Sequence, residues 1–337
     1  MKKSPVAIVY NEPISPEGSY SEASRDILDQ VEAVEGSLGR LGVPAIRIPF
    51  TRDLSSFMGE ISEHGIQYAF NLCESVDENP RLMGHPAAIM DILGVSYTGS
   101  PALALAITTD KLSTKRLLRG HGIPTPKFET YDDTLLPKLK GLRFPVIMKP
   151  RFEDASIGID QESVVADEKE LRERLPEFHD LFGPLIVEEY ISGREFNVSL
   201  FGYPSPRVMS LAEMSFDGFP RELYPIVGYR AKWDRESFEY QHMPRLFPRD
   251  LPEILERRIR RAALDCFRHF MLRDYGRVDF RVNDSGVAYV LEINANPCIS
   301  PDAGFPAALA EAGIDYDGFV RQLLEFVQKR KVELYSS

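Results

Sequence analysis

The chain has 337 residues, which is too many for one small hydrophobic core and predicts two or three structural units. Its net charge of −11 argues against a nucleic-acid-binding surface, which is usually basic. No run approaches the roughly 20 apolar residues of a membrane span. With a hydrophobic fraction of 43 %, the composition is that of an ordinary soluble globular protein. We therefore expect a cytoplasmic protein without nucleic-acid or membrane partners.

The number and spacing of the cysteines also favour the reducing cytoplasm. Cys73, Cys266 and Cys298 are few, odd in number and far apart, which is neither a disulfide framework nor a zinc spacing. A reactive thiol is the alternative for any one of them. We expect buried hydrophobic residues instead, because free cysteine is among the most buried residue types.

The first hundred residues alternate strand and helix patterns. PVAIVY (5–10) predicts a buried strand, and apolar residues at helical spacing predict a helix over 21–41 that Gly42 ends. PAIRIPF and IQYAFNL predict two more strands, and a helix follows near 86–93. This alternation predicts a mostly parallel sheet. No GxGxxG follows the first strand, which weakens the interpretation as a nicotinamide-dependent dehydrogenase.

The remainder of the chain predicts two further units. A helix over 110–119 is followed by FPVIMKP (144–150), a strand that ends in Lys149 and Pro150. REFNVSLFG and PRVMSLAEM predict antiparallel strands, and 252–270 predicts an amphipathic helix. We predict an α/β protein with an N-terminal parallel-sheet domain. The predicted division is 1–101, 102–187 and 188–337.

One predicted hairpin carries charges on one face. RVDFRV, NDSG and VAYVLEIN read as two strands around a glycine-containing turn. If Val282 pairs with Val287, Asp279 faces Val290 and Glu292 is its diagonal neighbour, about 7–8 Å away at Cα. The polar face then displays Arg277, Asp279, Arg281, Glu292 and Asn294, and the core face displays Val278, Phe280, Val282, Tyr289, Leu291 and Ile293.

The polar face has two interpretations that the pattern alone does not separate. Carboxylate and amide oxygens suit Mg²⁺, which prefers one or two carboxylates together with phosphate oxygens and water. The alternative is a solvated face with surface ion pairs. A different turn would separate Asp279 from Glu292, yet it would leave Glu292 and Asn294 on the same side.

Three lysines and a small-residue loop suggest a phosphate site. Lys111 starts a helix, Lys149 ends an apolar strand, and Lys232 lies in GYRAKWD. In EDASIGI, Ser156 and Gly158 allow backbone N–H groups to approach an anion closely. Most lysines are solvated and most such loops are simple turns, so only the combination favours a phosphate ligand.

The order of these motifs resembles the ATP-grasp superfamily, specifically its D-alanine–D-alanine ligase-like branch. The resemblance runs through VSYTGSPALALAITTDKLSTKRLLRGHGIPTP, FPVIMKP, EDASIGI, LIVEEYISGREFNV, AKWD, GRVDFRV and LEINANPCISP. It covers residues 84 to 327, most of the chain. It implies a two-lobed ATP-grasp fold after the N-terminal domain.

The resemblance implies a role for each motif. The residues it assigns to ATP are Lys111, Lys149 and Lys232 at the phosphates, Ser156 and Gly158 in a loop over them, Glu188, Glu189, Tyr190 and Ile191 at adenine, and Glu195 at the ribose. Asp279, Glu292 and Asn294 match the ligands of two Mg²⁺ ions, with Mn²⁺ as an alternative. Arg277, Lys232 and Ser156 match the catalytic residues.

The reaction that this resemblance implies joins a small-molecule carboxylate to a small-molecule amine. The carboxylate attacks the γ-phosphate of ATP, and the amine then displaces phosphate from the acyl phosphate to give an amide. Phosphoryl transfer needs positioning and positive charge more than covalent help, which agrees with the predicted lysines and Arg277.

The segments around the substrates depart from the family pattern. Cys298 stands in place of a glycine, Ala303 in place of a serine that binds a substrate carboxylate, and Trp233 in place of a tyrosine. Losing that serine hydroxyl is expected to weaken carboxylate recognition by about 1.5–3 kcal/mol. The candidates for the substrate-facing acid are Glu12, Glu17 and Glu22, while NLCESVDENP offers Glu74, Asp77 and Glu78 in place of a His-Gly pair.

We therefore expect ligase chemistry on an altered pair of amino-acid or peptide-like substrates. A true D-alanine–D-alanine ligase is the alternative within the class. A non-catalytic ATP-binding regulatory protein is the alternative outside it. Dimers are common in the family, so a homodimer is one expectation and the oligomeric state stays open.

Overall fold

The computed structural model describes residues 4–13, 21–133 and 141–336. Its strands form three sheets, two of four strands and one of six. Across these ranges, every helix is too short or too polar to cross a bilayer. The mixed α/β architecture confirms the predicted fold class, with the parallel sheet at the N-terminal end.

The first sheet is parallel, with strand order β2-β1-β3-β4. Its central strand forms because all five residues of VAIVY are buried, as expected for a strand covered on both faces. Gly42, at a φ of +68°, follows the first helix and needs the left-handed conformation that glycine adopts readily. The elements are β1 (Val6–Tyr10), α1 (Ser21–Arg40), β2 (Ala45–Pro49), α2 (Leu54–Glu63), β3 (Tyr68–Asn71), α3 (His85–Ile92) and β4 (Ser96–Tyr97).

The middle sheet is antiparallel, with order β5-β8-β6-β7. Two helices precede it, and Asp110 caps the second by accepting from the Leu112 N–H. Strand β8 extends across residue 187, where we predicted a boundary, and the three-part division stays a prediction. The elements are α4 (Ala102–Thr109), α5 (Lys111–Gly120), β5 (Phe128–Tyr131), β6 (Val146–Pro150), β7 (Val164–Val165), α6 (Glu168–Phe182) and β8 (Leu185–Glu189).

The third sheet is antiparallel, with order β12-β11-β9-β13-β14 and β10 on the side of β9. It contains the predicted antiparallel strands and the predicted hairpin. Its elements are β9 (Arg194–Phe201), β10 (Arg207–Val208), β11 (Ala212–Met214), α7 (Tyr229–Trp233), α8 (Phe238–Gln241), β12 (Arg245–Leu246), α9 (Glu253–His269), β13 (Tyr275–Val282), β14 (Ala288–Asn294), α10 (Gly304–Glu311) and α11 (Tyr316–Ser336).

The buried apolar residues divide unevenly among the sheets. One cluster joins the first sheet to the third and includes Ala7, Phe50, Phe196 and Phe280. The middle sheet has a core of its own, made with α6. The first and third sheets are thus held together by a large apolar cluster, whereas the middle sheet has mainly its own core and a smaller cluster of Ile147 and Val164 with Ile226.

The register of the β13–β14 hairpin differs from the predicted one. Val282 pairs with Ala288 rather than with Val287, and a bulge between Asp279 and Phe280 shifts the pairing. Asp279 therefore lies directly opposite Glu292, not diagonal to it. The predicted core face is also wrong at Tyr289 and Leu291, because of this bulge. Both residues are half-buried, and Val290 is the fully buried residue instead.

Candidate active site

A cleft of about 800 Å³ lies among the three sheets. Its wall includes residues from α1, β6, β8, β9, α7, β13 and β14. Of the predicted site residues, Lys149, Ser156, Glu188, Glu189, Tyr190, Ile191, Glu195, Lys232, Arg277, Asp279, Glu292 and Asn294 line it. Segments far apart in sequence thus converge on one cavity.

The two predicted phosphate lysines of the middle lobe differ in position. Lys149 lines the cleft, and its Nζ lies 3.3 Å from Glu188 Oε2. Lys111 is not part of the cleft wall: its ammonium donates to the Glu153 carbonyl and lies 3.5 Å from Asp154 Oδ1. Burial opposes the charge of Lys111, but Glu292 and Asp154 raise its pKa, so Lys111 is a cation held just behind the wall.

A buried lysine that we did not predict supports this wall. Lys115 is 1 % exposed and lies 3.1 Å from Glu188 Oε2, and its Nζ also donates to Thr125 Oγ1. Burial lowers the pKa of Lys115 to about 8, with Glu188 opposing that shift. Lys115 lies four residues after Lys111, one helical turn along the same face of α5. That spacing was the signal in the sequence that could have identified it.

Glu188 offers an unused acceptor in the cleft. Its Oε2 is shared by Lys115 and Lys149, whereas its Oε1 is buried without a hydrogen-bond partner. A buried acceptor without a donor is costly, and an amino group such as that of adenine would satisfy it. This orphaned atom fits the role that the resemblance assigned to Glu188.

The rest of the predicted nucleotide wall is already hydrogen-bonded. Glu189 accepts from the Arg143 backbone N–H at 3.0 Å, and the Tyr190 hydroxyl donates to the Pro225 carbonyl at 3.3 Å. Glu195 forms an ion pair with Arg281 at 2.6 Å, and both side chains are buried. These contacts fix the position of the wall between the middle and third sheets.

The small-residue loop is tied to the segment that carries Lys232. Ser156 donates to the Val227 carbonyl at 2.8 Å, and Trp233 Nε1 donates to the Ala155 carbonyl at 2.9 Å. Gly158 has a φ of +70°, and a Cβ there would lie 2.7 Å from Pro150 Cγ. Lys232 lies on the short helix α7, where burial lowers its pKa. The loop is therefore held against the segment that carries Lys232; Ser156 and Lys232 line the cleft, whereas Gly158 is not part of its wall.

The predicted metal ligands share one side of the β13–β14 hairpin. Asp279 faces Glu292 and Arg277 faces Asn294 across the two strands. Both carboxylate oxygens of Asp279 accept from Arg277, at 2.8 and 2.9 Å. Within the described ranges no three His, Cys, Asp or Glu residues form a metal cluster. Two carboxylates and one amide in the same cleft as Lys149 and Lys232 nevertheless fit Mg²⁺, which usually takes its remaining ligands from phosphate and water.

Asp154 is an unpredicted acid next to this set. Burial raises the pKa of Asp154, and the negative charge of neighbouring Glu292 raises it further. Burial acts to raise the pKa of Glu292 as well, but Lys111 and Asp154 lower it.

The opposite end of the cleft is acidic, and its key residue, Asp26 on α1, was missed from the sequence. Asp26 accepts from the Cys298 thiol at 2.9 Å and from the Ser300 hydroxyl at 2.8 Å. Gln30 donates to both Asp26 and Glu74, at 3.0 and 2.9 Å. Burial raises the pKa of Glu74 from 4.5 to about 7. Asp26 could have been found only by noting an acid on the cleft-facing side of α1.

The remaining candidate acids lie in different places. Glu12 is exposed and contacts the Tyr10 hydroxyl, while Glu17 is outside the described residues. Glu22 lines the cleft and accepts from the Tyr229 hydroxyl at 3.3 Å. In the other loop, Glu78 lines the cleft and Asp77 is ion-paired with Arg52 at 3.0 Å.

The cysteine predictions hold for two of three positions. Cys73 and Cys266 are fully buried. Cys298 is only half-buried and lines the cleft, so its interpretation as a buried hydrophobic residue is wrong. Burial and Asp26 raise the pKa of Cys298, which keeps it a neutral hydrogen-bond donor rather than a thiolate nucleophile.

The chain is similar to known proteins at three levels: a family model, related sequences and a solved structure. The family model described as "D-ala D-ala ligase C-terminus" matches residues 117–325. An "Uncharacterized protein y4sG" of Sinorhizobium fredii is 32 % identical over 77 % of this chain and 74 % of its own length. A D-alanine–D-alanine ligase of Desulforudis audaxviator is 29 % identical over 91 % and 96 %. A D-alanine–D-alanine ligase of Bacillus anthracis, solved with ATP, has a TM-score of 0.77 at 21 % identity, covering 98 % and 99 %.

Proposed function

The chain belongs to the D-alanine–D-alanine ligase family of ATP-grasp enzymes and is an ADP-forming ligase of carbon–nitrogen bonds, and from that premise we propose its reaction. We propose that it joins the carboxylate of one amino-acid or peptide-like substrate to the amine of another through an acyl phosphate. The proposal includes Mg²⁺ as the metal, with two ions at Asp279, Glu292 and Asn294.

One observation carries the proposal: a single cleft has an adenine-type acceptor, fixed cations and oxygen ligands along one wall. Glu188 Oε1 is buried without a partner, Lys149 and Lys232 line the same cavity, and Asp279 faces Glu292. An acidic end formed by Asp26 and Glu74 lies in the same cavity, where a substrate ammonium would bind.

The chain's own residues supply positioning and charge. Lys149 and Lys232 in the cleft wall stabilise phosphate oxygens by fixed positive charge, and Lys111 adds positive charge from behind the wall. Such charge is worth more in a cleft that excludes water than in solution. Arg277 is held by two hydrogen bonds to Asp279 and presents its charge to the transferring oxygens. Bound Mg²⁺ would neutralise charge on the transferring and leaving oxygens. The loop of Ser156 and Gly158 excludes water, which would otherwise hydrolyse an acyl phosphate.

The substrate pair is proposed to differ from two molecules of D-alanine. The chain has Cys298 and Ala303 in the cleft wall, and Glu74 lies in the cleft next to Asp26 through Gln30. A second acid at the ammonium end and no hydroxyl at Ala303 change both ends of the substrate site. A true D-alanine–D-alanine ligase stays the second candidate, because relatives of this name align along most of the chain.

The test is amine-dependent ADP formation together with trapping of the acyl phosphate. The protein is incubated with ATP, Mg²⁺ and the common amino acids of both configurations, singly and in pairs, and ADP is measured. Hydroxylamine, added in place of the amine, should give a hydroxamate of the donor. ADP formation without hydroxamate from any acid would contradict the acyl-phosphate reaction. Dipeptide formation with D-alanine alone, at a rate no other pair exceeds, would establish the second candidate. The expected homodimer stays a prediction.

A further inference from the structure

Arg245, at the start of β12, is a cation in the cleft without an anionic contact. Its guanidinium is partly buried, and its Nε is excluded from solvent without any hydrogen-bond partner. Within the described part of the chain it forms no ion pair. A buried guanidinium N–H without an acceptor carries a desolvation penalty, which an anionic ligand would remove.

Three other arginines of the cleft wall differ in this respect. Arg277 is bonded to Asp279, Arg281 to Glu195, and Arg235 lies 3.8 Å from Asp302. Each of these charges is therefore balanced within the protein. Arg245 lines the same cleft, yet it has no ion pair within the described residues and no acceptor for its buried Nε.

The surroundings of Arg245 favour a carboxylate as its ligand. Its charged neighbours are Arg277 and the exposed Asp302, and burial together with Arg277 lowers the pKa of Arg245. Gly304 lies against the guanidinium: a Cβ at that position would be 3.5 Å from both Nε and Nη2. The absence of a side chain at Gly304, together with the short side chain of Ala303, leaves space beside the planar donors. A planar fork of N–H groups matches the two oxygens of a carboxylate.

The position of Arg245 also indicates which of the two substrates supplies the carboxylate. Arg245 lies against Gly304 at the start of α10, whereas the proposed Mg²⁺ ligands Asp279 and Glu292 lie opposite each other within the β13–β14 hairpin. A carboxylate bound here is therefore not the one that becomes phosphorylated. It belongs to the acceptor, whose amine must reach the acyl group from the Arg277 side.

We propose that Arg245 is a specificity-determining residue that binds a carboxylate of the acceptor amine. The acceptor is accordingly an amino acid or a peptide with a free carboxylate, not an unsubstituted amine. This inference rests on the proposed function, because it presupposes an acyl phosphate that the acceptor attacks.

The experiment compares two acceptors that differ in the carboxylate. Amino acids and their amides serve as the carboxylate-bearing and carboxylate-free probes, and hydroxylamine serves as a small acceptor that does not need Arg245. In Arg245→Met, the KM for the amino-acid acceptor is expected to rise about 10- to 100-fold, as for loss of a charged hydrogen-bonded pair. Hydroxamate formation is expected to stay within about two-fold of wild type, since it reports only the donor and ATP. Arg245→Lys should recover part of the acceptor affinity.

Arg249→Met is the matched control, because Arg249 is in the same segment, is exposed and pairs with Glu311 at 3.0 Å. Equal use of amino acids and amides by the wild-type protein overturns the inference. So does an unchanged acceptor KM in Arg245→Met, or an equal fall in hydroxamate and amide formation. Absence of hydroxamate in the wild-type protein with every donor refutes the proposed function instead, which separates the two failures.

Discussion

The two ends of the cleft differ in how their charges are arranged. At the proposed nucleotide end, cations and acids are paired in fixed contacts, such as Lys115 and Lys149 on Glu188, and among the described residues there only Glu188 Oε1 is buried without a partner. At the proposed substrate end, charges are partly unmatched: Arg245 has no acceptor for its Nε, and Glu74 shares one glutamine with Asp26. The difference indicates that the proposed nucleotide end is largely preorganised by contacts within the protein, whereas the proposed substrate end leaves charge for a ligand to balance.

The largest effect should come from the proposed metal set at the nucleotide end. Glu292→Gln removes one anionic ligand at nearly constant shape, and ADP formation is expected to fall about 1000-fold, because ion binding and charge neutralisation would both suffer. Chelation of divalent cations should have the same result in the wild-type protein. Glu253→Gln, at an exposed position of α9, is the matched control. Activity in Glu292→Gln within ten-fold of wild type would rule out this residue as a metal ligand.

The buried lysine behind the wall should matter for stability. Lys115→Met leaves Glu188 with one cationic partner, and the free energy of unfolding is expected to fall by about 3 kcal/mol, as for breaking a buried ion pair. Urea unfolding measures this change. The double variant Lys115→Met with Glu188→Gln should recover part of the loss, because the unpaired charge is gone. Lys169→Met, at an exposed helical position, should change stability little. A stable single variant would contradict the structural role.

Replacement of Asp26, at the proposed substrate end, should raise the KM for one substrate and leave the KM for ATP unchanged. Asp26→Asn removes the charge that Cys298 and Ser300 hold in place, and the KM for an amino-acid substrate is expected to rise about 30-fold, as for a lost charge-assisted hydrogen bond. The KM for ATP should stay unchanged. Glu32→Gln, on the exposed side of α1, controls for charge. An equal rise in both KM values would show that the two ends are not independent.

The smallest expected effect is the contribution of Glu74 to the pH dependence of the free energy of unfolding. Because burial raises the pKa of Glu74 from 4.5 to about 7, the folded protein binds more protons than the unfolded chain between these values. The free energy of unfolding should therefore decrease as pH rises through this window, by about 1–2 kcal/mol from this group. Glu74→Gln should lack that decrease. Urea unfolding of both proteins at pH 5 and pH 8 measures the difference. Parallel pH dependence in the two proteins would contradict the assignment.

The sequence predicted most of what is local. Apolar spacing located the helix ends to within one or two residues, as for α1 and α9, and several predicted motifs converge on one cleft. The hairpin register could not be predicted, because the side-chain alternation does not show that Leu291 is an extra residue of β14 at the step from Asp279 to Phe280. Asp26, Lys115 and Arg245 were missed because an acid or a cation on an amphipathic segment looks the same whether it faces water or a cavity.

The shared core of the first and third sheets has a consequence for cooperativity. Ala7 and Phe50 pack in the same cluster as Phe196 and Phe280, so these two parts of the chain stabilise each other. The middle lobe has a separate and smaller core around Val146, Met148 and Val187. Amides of the middle lobe should accordingly exchange with solvent through partial unfolding, while those of β1 and β13 exchange only when the whole protein unfolds. We therefore expect the lobe that carries Lys149 to unfold locally while the shared core of the first and third sheets stays folded.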